Sequence, residues 1–337
     1  MLDFKNLEKY DTQRMYKIYD IWPKIALEFF EKKSSKADYK EIDHIVFAGM
    51  GGSGAIGDIF SAILSKTKIH VSVVKGYHLP NTANSNTLVI TTSVSGNTIE
   101  TLTVLDAARK SKNKIVAFSS GGKMERYCNK HKLEYRKIPL IHSPRASFTA
   151  FLYNMLNVLE TIMPVTKNEV LESIDNLENL NKEICSLNLT KNNPALGLAY
   201  WITGIPIIYY PFGLQAAAIR FKNSLQENAK MHVITEDIVE SSHNGVVAWE
   251  RPSNVQPILL EGKDDYIKTK ERWKILKEYF KNNKIDYKEI LSIKSGILSK
   301  LINFIYLLDY TSIYHAVISK TDPSPVNSID FIKNRTS

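Results

Sequence analysis

Short apolar runs alternate with amphipathic stretches along most of this chain. Residues 45–48 form a continuous apolar run, which reads as a buried parallel strand; residues 49–54 are a glycine turn and residues 55–64 the following helix. Strand-like runs recur at 69–74, 88–92, 114–118 and 134–138, with helical spacing up to Lys110 and again over 123–131. Strands separated by helices of this length predict a parallel, doubly wound sheet that takes ligands beyond the carboxyl ends of its strands. Before it, residues 3–32 carry apolar positions at helical spacing, among them Tyr16, Ile21, Trp22, Ile25 and Phe29, and predict a helical arm interrupted near Pro23.

After an apolar helix over 149–162, residues 163–193 read as a crossing between domains. The second half loosely repeats the plan. Its first strand, 205–210, breaks at Pro211 and Gly213 and opens a helix over 215–225; further strands fall at 255–260 and 287–291, with helices at 266–281 and 295–320. The expected architecture is two α/β domains, each a doubly wound parallel sheet flanked by helices: residues 1–165 with the helical arm, and residues 166–337 with the linker.

Candidate chemistry concentrates at the end of the run 88–92. The strand stops at a turn carrying Ser93, Ser95, Gly96, Asn97 and Thr98, and a helix starts near Ile99. Hydroxyls, a permissive glycine and the amides at the positive end of a helix suit a phosphate. The plainer alternative is an ordinary N-cap, where Ser and Thr are favoured in any helix. The glycines at 49, 51, 52, 54 and 57 give only a shifted match to a dinucleotide fingerprint, and no acidic residue follows near Val74 to take a ribose hydroxyl. A turn of amides around Gly52 and Ser53, facing a sugar or its phosphate, fits better.

Composition narrows the classes. A chain of 337 residues, 44% hydrophobic and 23% charged, suits a globular protein of two domains, and no stretch approaches the ~20 uninterrupted apolar residues of a membrane span. The charged N-terminal stretch is not a signal peptide, so a cytoplasmic location is expected. Cys128 and Cys185 are far apart and lack partners at metal-ligand spacing, which argues against a disulfide framework or a zinc site. The net charge of +9 is spread over amphipathic helices without a nucleic-acid motif, and reads as attraction for anionic metabolites.

Acid and base candidates lie in residues 226–249. Glu227 ends a helix with an apolar alanine face, a setting for a general base, although Glu is usually a solvated helix-end charge. His243 lies in a polar loop, and Arg145, beside Pro144, is either a donor to a developing oxyanion or a surface cation.

Together these residues resemble the sugar-isomerase (SIS) domain proteins, and among them the two-domain bifunctional phosphoglucose/phosphomannose isomerases. GMGGSGAIGD resembles the family's first glycine loop, TTSVSGNTIETL its phosphosugar loop, ENAK with SSHN its catalytic stretch, and DPSPVNSIDFIK its C-terminus. The resemblance implies two SIS-type domains and an aldose–ketose isomerase of glucose and mannose 6-phosphates, without a metal or redox cofactor. It implies that Gly52, Ser53, Ser93, Ser95 and Thr98 hold the phosphate, that Glu227 is the base, and that Arg145 steadies the enediolate. His243 would open the ring from the second subunit of a homodimer, helped by a C-terminal lysine, Lys333 or second to it Lys320. The chain departs from the family at Gln226, where Asn is usual, and at Gly245, where an acidic residue usually follows the HN pair. A sugar-phosphate-binding regulator and an amino-sugar phosphate isomerase are the alternatives.

Overall fold

The computed structural model describes residues 2–336. Three helices come first: α1 (Phe4–Tyr10), α2 (Met15–Asp20) and α3 (Trp22–Glu31). The predicted arm is thus divided more finely than its apolar spacing suggested. Arg14 turns the chain with a left-handed φ of 55°, and Pro23 lies in the first turn of α3, where its missing N–H has no helical partner to lose. Then follow β1 (His44–Ala48), α4 (Gly51–Leu64), β2 (His70–Val74), β3 (Thr87–Ser93), α5 (Ile99–Lys110), β4 (Lys114–Ser119), α6 (Gly122–His131), β5 (Glu134–Lys137), α7 (Phe148–Val158) and α8 (Lys167–Ile184). The remainder comprises α9 (Pro194–Trp201), β6 (Ile205–Tyr210), α10 (Gln215–Ala229), β7 (Ile234–Asp237), α11 (Ile238–Ser241), a 3₁₀ turn (Gly245–Glu250), β8 (Val255–Glu261), α12 (Ile267–Asn282), β9 (Lys288–Leu291), α13 (Ile297–Ile318) and α14 (Asn327–Thr336). The chain divides into two compact units, one of Ile21–Ile174 with Asn327–Ser337 and one of Met1–Asp20 with Asp175–Val326.

The first unit holds a parallel sheet in the order β2-β1-β3-β4-β5. The chain leaves β1 toward one edge and returns through β3 toward the other, so the topological switch lies between these two neighbours, where open α/β sheets take their ligands. Every residue of β1 and β3 is buried, which explains the apolar runs 45–48 and 88–90 within them. On one face Val104 and Leu105 of α5 and Met124 and Cys128 of α6 pack on Val46, Val89 and Ala117. Cys128 is a core residue, its thiol pushed up to about 11 by burial. Elsewhere Phe47 stacks on Phe60 of α4 with ring centroids 5.2 Å apart, and all of α7 is buried, as its apolarity on every side requires.

The second unit has the parallel order β7-β6-β8-β9, the same out-and-back plan. Its core joins Ile207, Tyr209 and Leu259 to Trp273, Leu276 and Phe280 of α12. Strand β7 escaped the sequence pattern because it is a four-residue edge strand with none of its residues buried. α13 is, by length and average apolarity, able to cross a membrane, yet 83% of its most apolar window is buried within the protein and Asp309 lies in its middle; it is a core helix.

At the amino end of β1, His44 is 4% exposed between Ser72 Oγ at 3.0 Å from Nε2 and Thr87 Oγ1 at 3.4 Å from Nδ1, with the His70 ring 4.6 Å away. Burial, and after it the neighbouring His70, lowers its pKa from the ordinary 6.5. The unfolded chain therefore binds this proton more readily, and the contribution of His44 to stability is whole above pH about 6.5 and is lost as pH falls through the depressed native value. Denaturant midpoints at pH 5.5 and 8 should differ more in the wild type than in His44→Asn; equal differences would refute this account.

Candidate active site

The hydroxyl turn leaves β3 at the topological switch. Ser93 is buried, Thr98 half-buried and Ser95 exposed. Thr98 occupies the N-cap position of α5 with extended backbone (φ −67°, ψ 114°), but its side chain makes no capping bond. Its hydroxyl instead lies 2.9 Å from Ser93 Oγ, so the N-cap alternative does not account for it, and the first-turn amides of α5 keep no side-chain acceptor. The Gly96 amide donates to Ser93 Oγ at 3.1 Å and the Asn97 amide to Ser95 Oγ at 3.3 Å, which fixes the turn's shape.

A second turn, not singled out in the sequence, braces the first from behind. Gly96 has φ of +68°, and a Cβ there would lie 1.8 Å from the Gly121 carbonyl oxygen, so only glycine fits. Asn97 Oδ1 accepts from the Lys123 amide at 3.0 Å and so caps α6. The signal for this brace was the Gly121-Gly122 pair at a strand end, legible only once the turn opposite it is placed.

The glycine loop is shorter than predicted, because α4 already starts at Gly51 and takes Gly52, Ser53 and Gly54 into its first turn. Gly52 is half-buried and Ser53 is 8% exposed. The N-cap, Met50, offers no side-chain acceptor to this turn either. A Cβ on Gly49 would fall 2.9 Å from the Thr92 carbonyl oxygen and 3.0 Å from Ser53 Cβ, so the β1 and β3 loops meet at this residue. Two helix N-termini without side-chain caps, with hydroxyls between, thus start from adjacent strands. Such a cradle can bind an anion and offers no base of its own.

Arg145, in the turn before α7, is only 5% exposed, which removes the surface-cation alternative. Lys333 lies on α14 and is exposed. These two residues and the cradle belong to the first unit; Glu227, His243 and Lys320 belong to the second. Lys320 is exposed just past the end of α13, in a left-handed conformation with φ of 57°.

Glu227 is half-buried in the last turn of α10. Three residues on, Lys230 takes the left-handed conformation at the helix C-cap and donates through Nζ to the carbonyls of Glu227 at 2.7 Å, Asp322 at 3.0 Å and Pro323 at 3.3 Å. The lysine of ENAK therefore satisfies helix-end carbonyls and ties this stretch to the start of DPSPVNSIDFIK. His243 is exposed behind α11, its amide donating to the Glu240 carbonyl at 2.9 Å, and Asn244 Nδ2 donates to Glu240 Oε1 at 2.9 Å. Gly245 lies against the Glu236 carboxylate, whose Oε2 would be 2.3 Å from a Cβ there, a contact the flexible Glu236 side chain can relieve by moving. Burial raises the pKa of that carboxyl.

The switch point of the second sheet is built differently. Its strand β8 ends at Glu261, paired to Lys277 at 3.0 Å, and the loop after it carries Asp265, which accepts from the Gly262 amide and from Trp273 Nε1, each at 3.0 Å. Carboxylates here repel a phosphate, so among the described residues the hydroxyl cradle is a feature of the first unit alone.

Residues 38–160 match the SIS domain family, and residues 191–336 match the bacterial phospho-glucose isomerase C-terminal SIS domain. The bifunctional phosphoglucose/phosphomannose isomerase of Caldicellulosiruptor bescii is 32% identical over 92% of this chain and 94% of its own length. The enzyme of the same name from Thermoplasma acidophilum is 28% identical over 93% and 98%. In fold, the chain matches tagatose-6-phosphate ketose/aldose isomerase from Escherichia coli with a TM-score of 0.67 at 15% identity, covering 95% of this chain and 93% of that one. A paired SIS architecture, a hydroxyl cradle at the first switch point and full-length similarity at this level have one meaning: the chain belongs to the bifunctional phosphoglucose/phosphomannose isomerase family.

Proposed function

We propose that this chain is a cytoplasmic, homodimeric isomerase that interconverts glucose 6-phosphate and mannose 6-phosphate with fructose 6-phosphate through a cis-enediol. The observation that carries the reading is the cradle: Thr98 gives up its capping bond to pair with Ser93, leaving hydroxyls and helix-end amides directed to an anion. Gly52, Ser53, Ser93, Ser95 and Thr98 hold the phosphate, which takes no part in bond making and supplies binding energy for orientation.

In the chemical step Glu227 removes the proton from C2 of the open aldose, electrons move into the C1–C2 bond, and the carbonyl oxygen at C1 becomes the enediol oxygen. The C2 hydroxyl proton passes to the C1 oxygen, and as Glu227 returns its proton to C1 the electrons left on the C2 oxygen close the carbonyl at C2. Arg145 steadies the oxyanion, a role suited to a guanidinium buried away from solvent. Glucose and mannose 6-phosphates differ only at C2 and yield the same enediol, so one base serves both in a site that lets the sugar rotate about C2–C3. His243, with Lys333, passes the ring-oxygen proton that opens the sugar. The exposure of His243, flanked by Val239 (39% exposed) and Val247 (58%), supports its donation across a subunit interface, since apolar side chains at the surface favour burial against a partner.

Glu227→Gln should lower kcat for both aldoses at least about 100-fold, the usual share of a general base. A near-normal rate with either sugar removes Glu227 from that role. Ser95→Ala should raise KM about tenfold with kcat little changed, the loss expected for one hydrogen bond to a charged group; a fall in kcat at saturating substrate would give the loop a chemical part. Finally, mixing inactive Glu227→Gln and His243→Ala subunits should restore about a quarter of wild-type activity, because random pairing gives half mixed dimers with one intact site each. No recovery after verified subunit exchange would place His243 in its own subunit's site.

A further inference from the structure

α10 meets α13 along a seam that is polar where a helix pair is ordinarily apolar. Arg220, Ser224 and Asn228 follow at four-residue spacing on one face of α10, and Asp309 and Ser312 face them from α13; all five are at most 2% exposed. Arg220 Nε donates to Asp309 Oδ1 at 3.2 Å and to Oδ2 at 3.1 Å, and its terminal nitrogen to Oδ2 at 2.6 Å. Ser224 Oγ donates to Asp309 Oδ1 at 2.5 Å, and the Tyr19 hydroxyl to Oδ2 at 3.2 Å. One helical turn on, Asn228 Nδ2 donates to Ser312 Oγ at 2.8 Å, which in turn donates to the Asp309 carbonyl at 2.6 Å. The seam therefore ends on the residue next to Glu227.

Stability does not explain this arrangement. Buried ion pairs can often be replaced by apolar side chains of similar volume at no loss, because desolvation offsets their attraction. Asn228 Oδ1 is moreover buried without a hydrogen-bond partner, which costs the fold something. What directional bonds supply and apolar contacts do not is a single register and rotation of one helix on another. A base that takes a proton from one carbon and returns it to the next needs its carboxylate held to within about half an ångström.

We propose that the Arg220–Asp309 and Asn228–Ser312 bonds are a positioning device that fixes the rotation of α10 and so the placement of the Glu227 carboxylate; Asp309 and Ser312 are positioning residues. The proposal rests on Glu227 being the base.

The test uses the full-length enzyme with two sets of variants. Arg220→Met combined with Asp309→Leu should keep or raise Tm while kcat falls at least tenfold and KM stays within about twofold, a split that a merely structural role would not produce. Should that pair fail to fold, Ser312→Ala serves alone, with the same expected split between kcat and KM. In the Glu227→Gln background, Ser312→Ala should lower the residual rate by less than twofold, because the group it positions is already gone. The proposal is overturned if the folded seam variants keep kcat within twofold of wild type, or if Ser312→Ala costs as much in the Glu227→Gln background as in the wild type. A near-normal rate for Glu227→Gln by itself overturns the assignment of the base, and is thereby distinguished from failure of the seam.

Discussion

A close backbone approach at the first switch point shapes the loops on either side of it. β1 and β3 run side by side in parallel and then diverge, and at Gly49 the gap to the Thr92 carbonyl leaves no room for a Cβ. Because the loops touch there, α4 and α5 start from neighbouring positions and their positive ends lie at the same end of the sheet. The same demand is met behind the second loop, where Gly96 lies against Gly121. Larger side chains at these positions would separate the loops, and their amides and hydroxyls would no longer lie together.

The sequence displayed the strands of the first sheet well, because burial on both faces of a parallel sheet writes itself as short unbroken apolar runs such as residues 45–48. It displayed the hydroxyl turn because the residues that build it, Ser93 to Thr98, are neighbours in the chain. What it hid were features that depend on partners distant in sequence. Thr98 has the right identity for an N-cap and only its pairing with Ser93 shows that it is not used as one. Lys230 reads as one more exposed lysine until the carbonyls of Asp322 and Pro323 appear beside it. Strand β7 hid for another reason: an edge strand of four half-exposed residues has too little pattern to register.

The two units also show how little a shared topology fixes. Both sheets run out and back about a central pair of strands, yet one switch point presents hydroxyls and amides and the other Asp265 and Glu261. Function is set by the few residues that the loops carry, and the strand order supplies only the place.

A division of labour follows from the physics of each task. Holding a phosphate tolerates small displacements, since several amides and hydroxyls share one dianion and none alone is decisive, and a turn braced by glycines is rigid enough for that. Moving a proton between adjacent carbons does not tolerate them, because transfer requires near contact at both. Glu227, the proposed base, lies in regular helix, in the last turn of a fifteen-residue element whose buried side carries directional bonds to α13 and whose end is closed by Lys230. Apolar packing often matches a buried ion pair in stability while specifying rotation less closely, and rotation is what the proposed base, serving two carbons, can least absorb. On that proposal the buried Arg220–Asp309 pair serves placement more than stability.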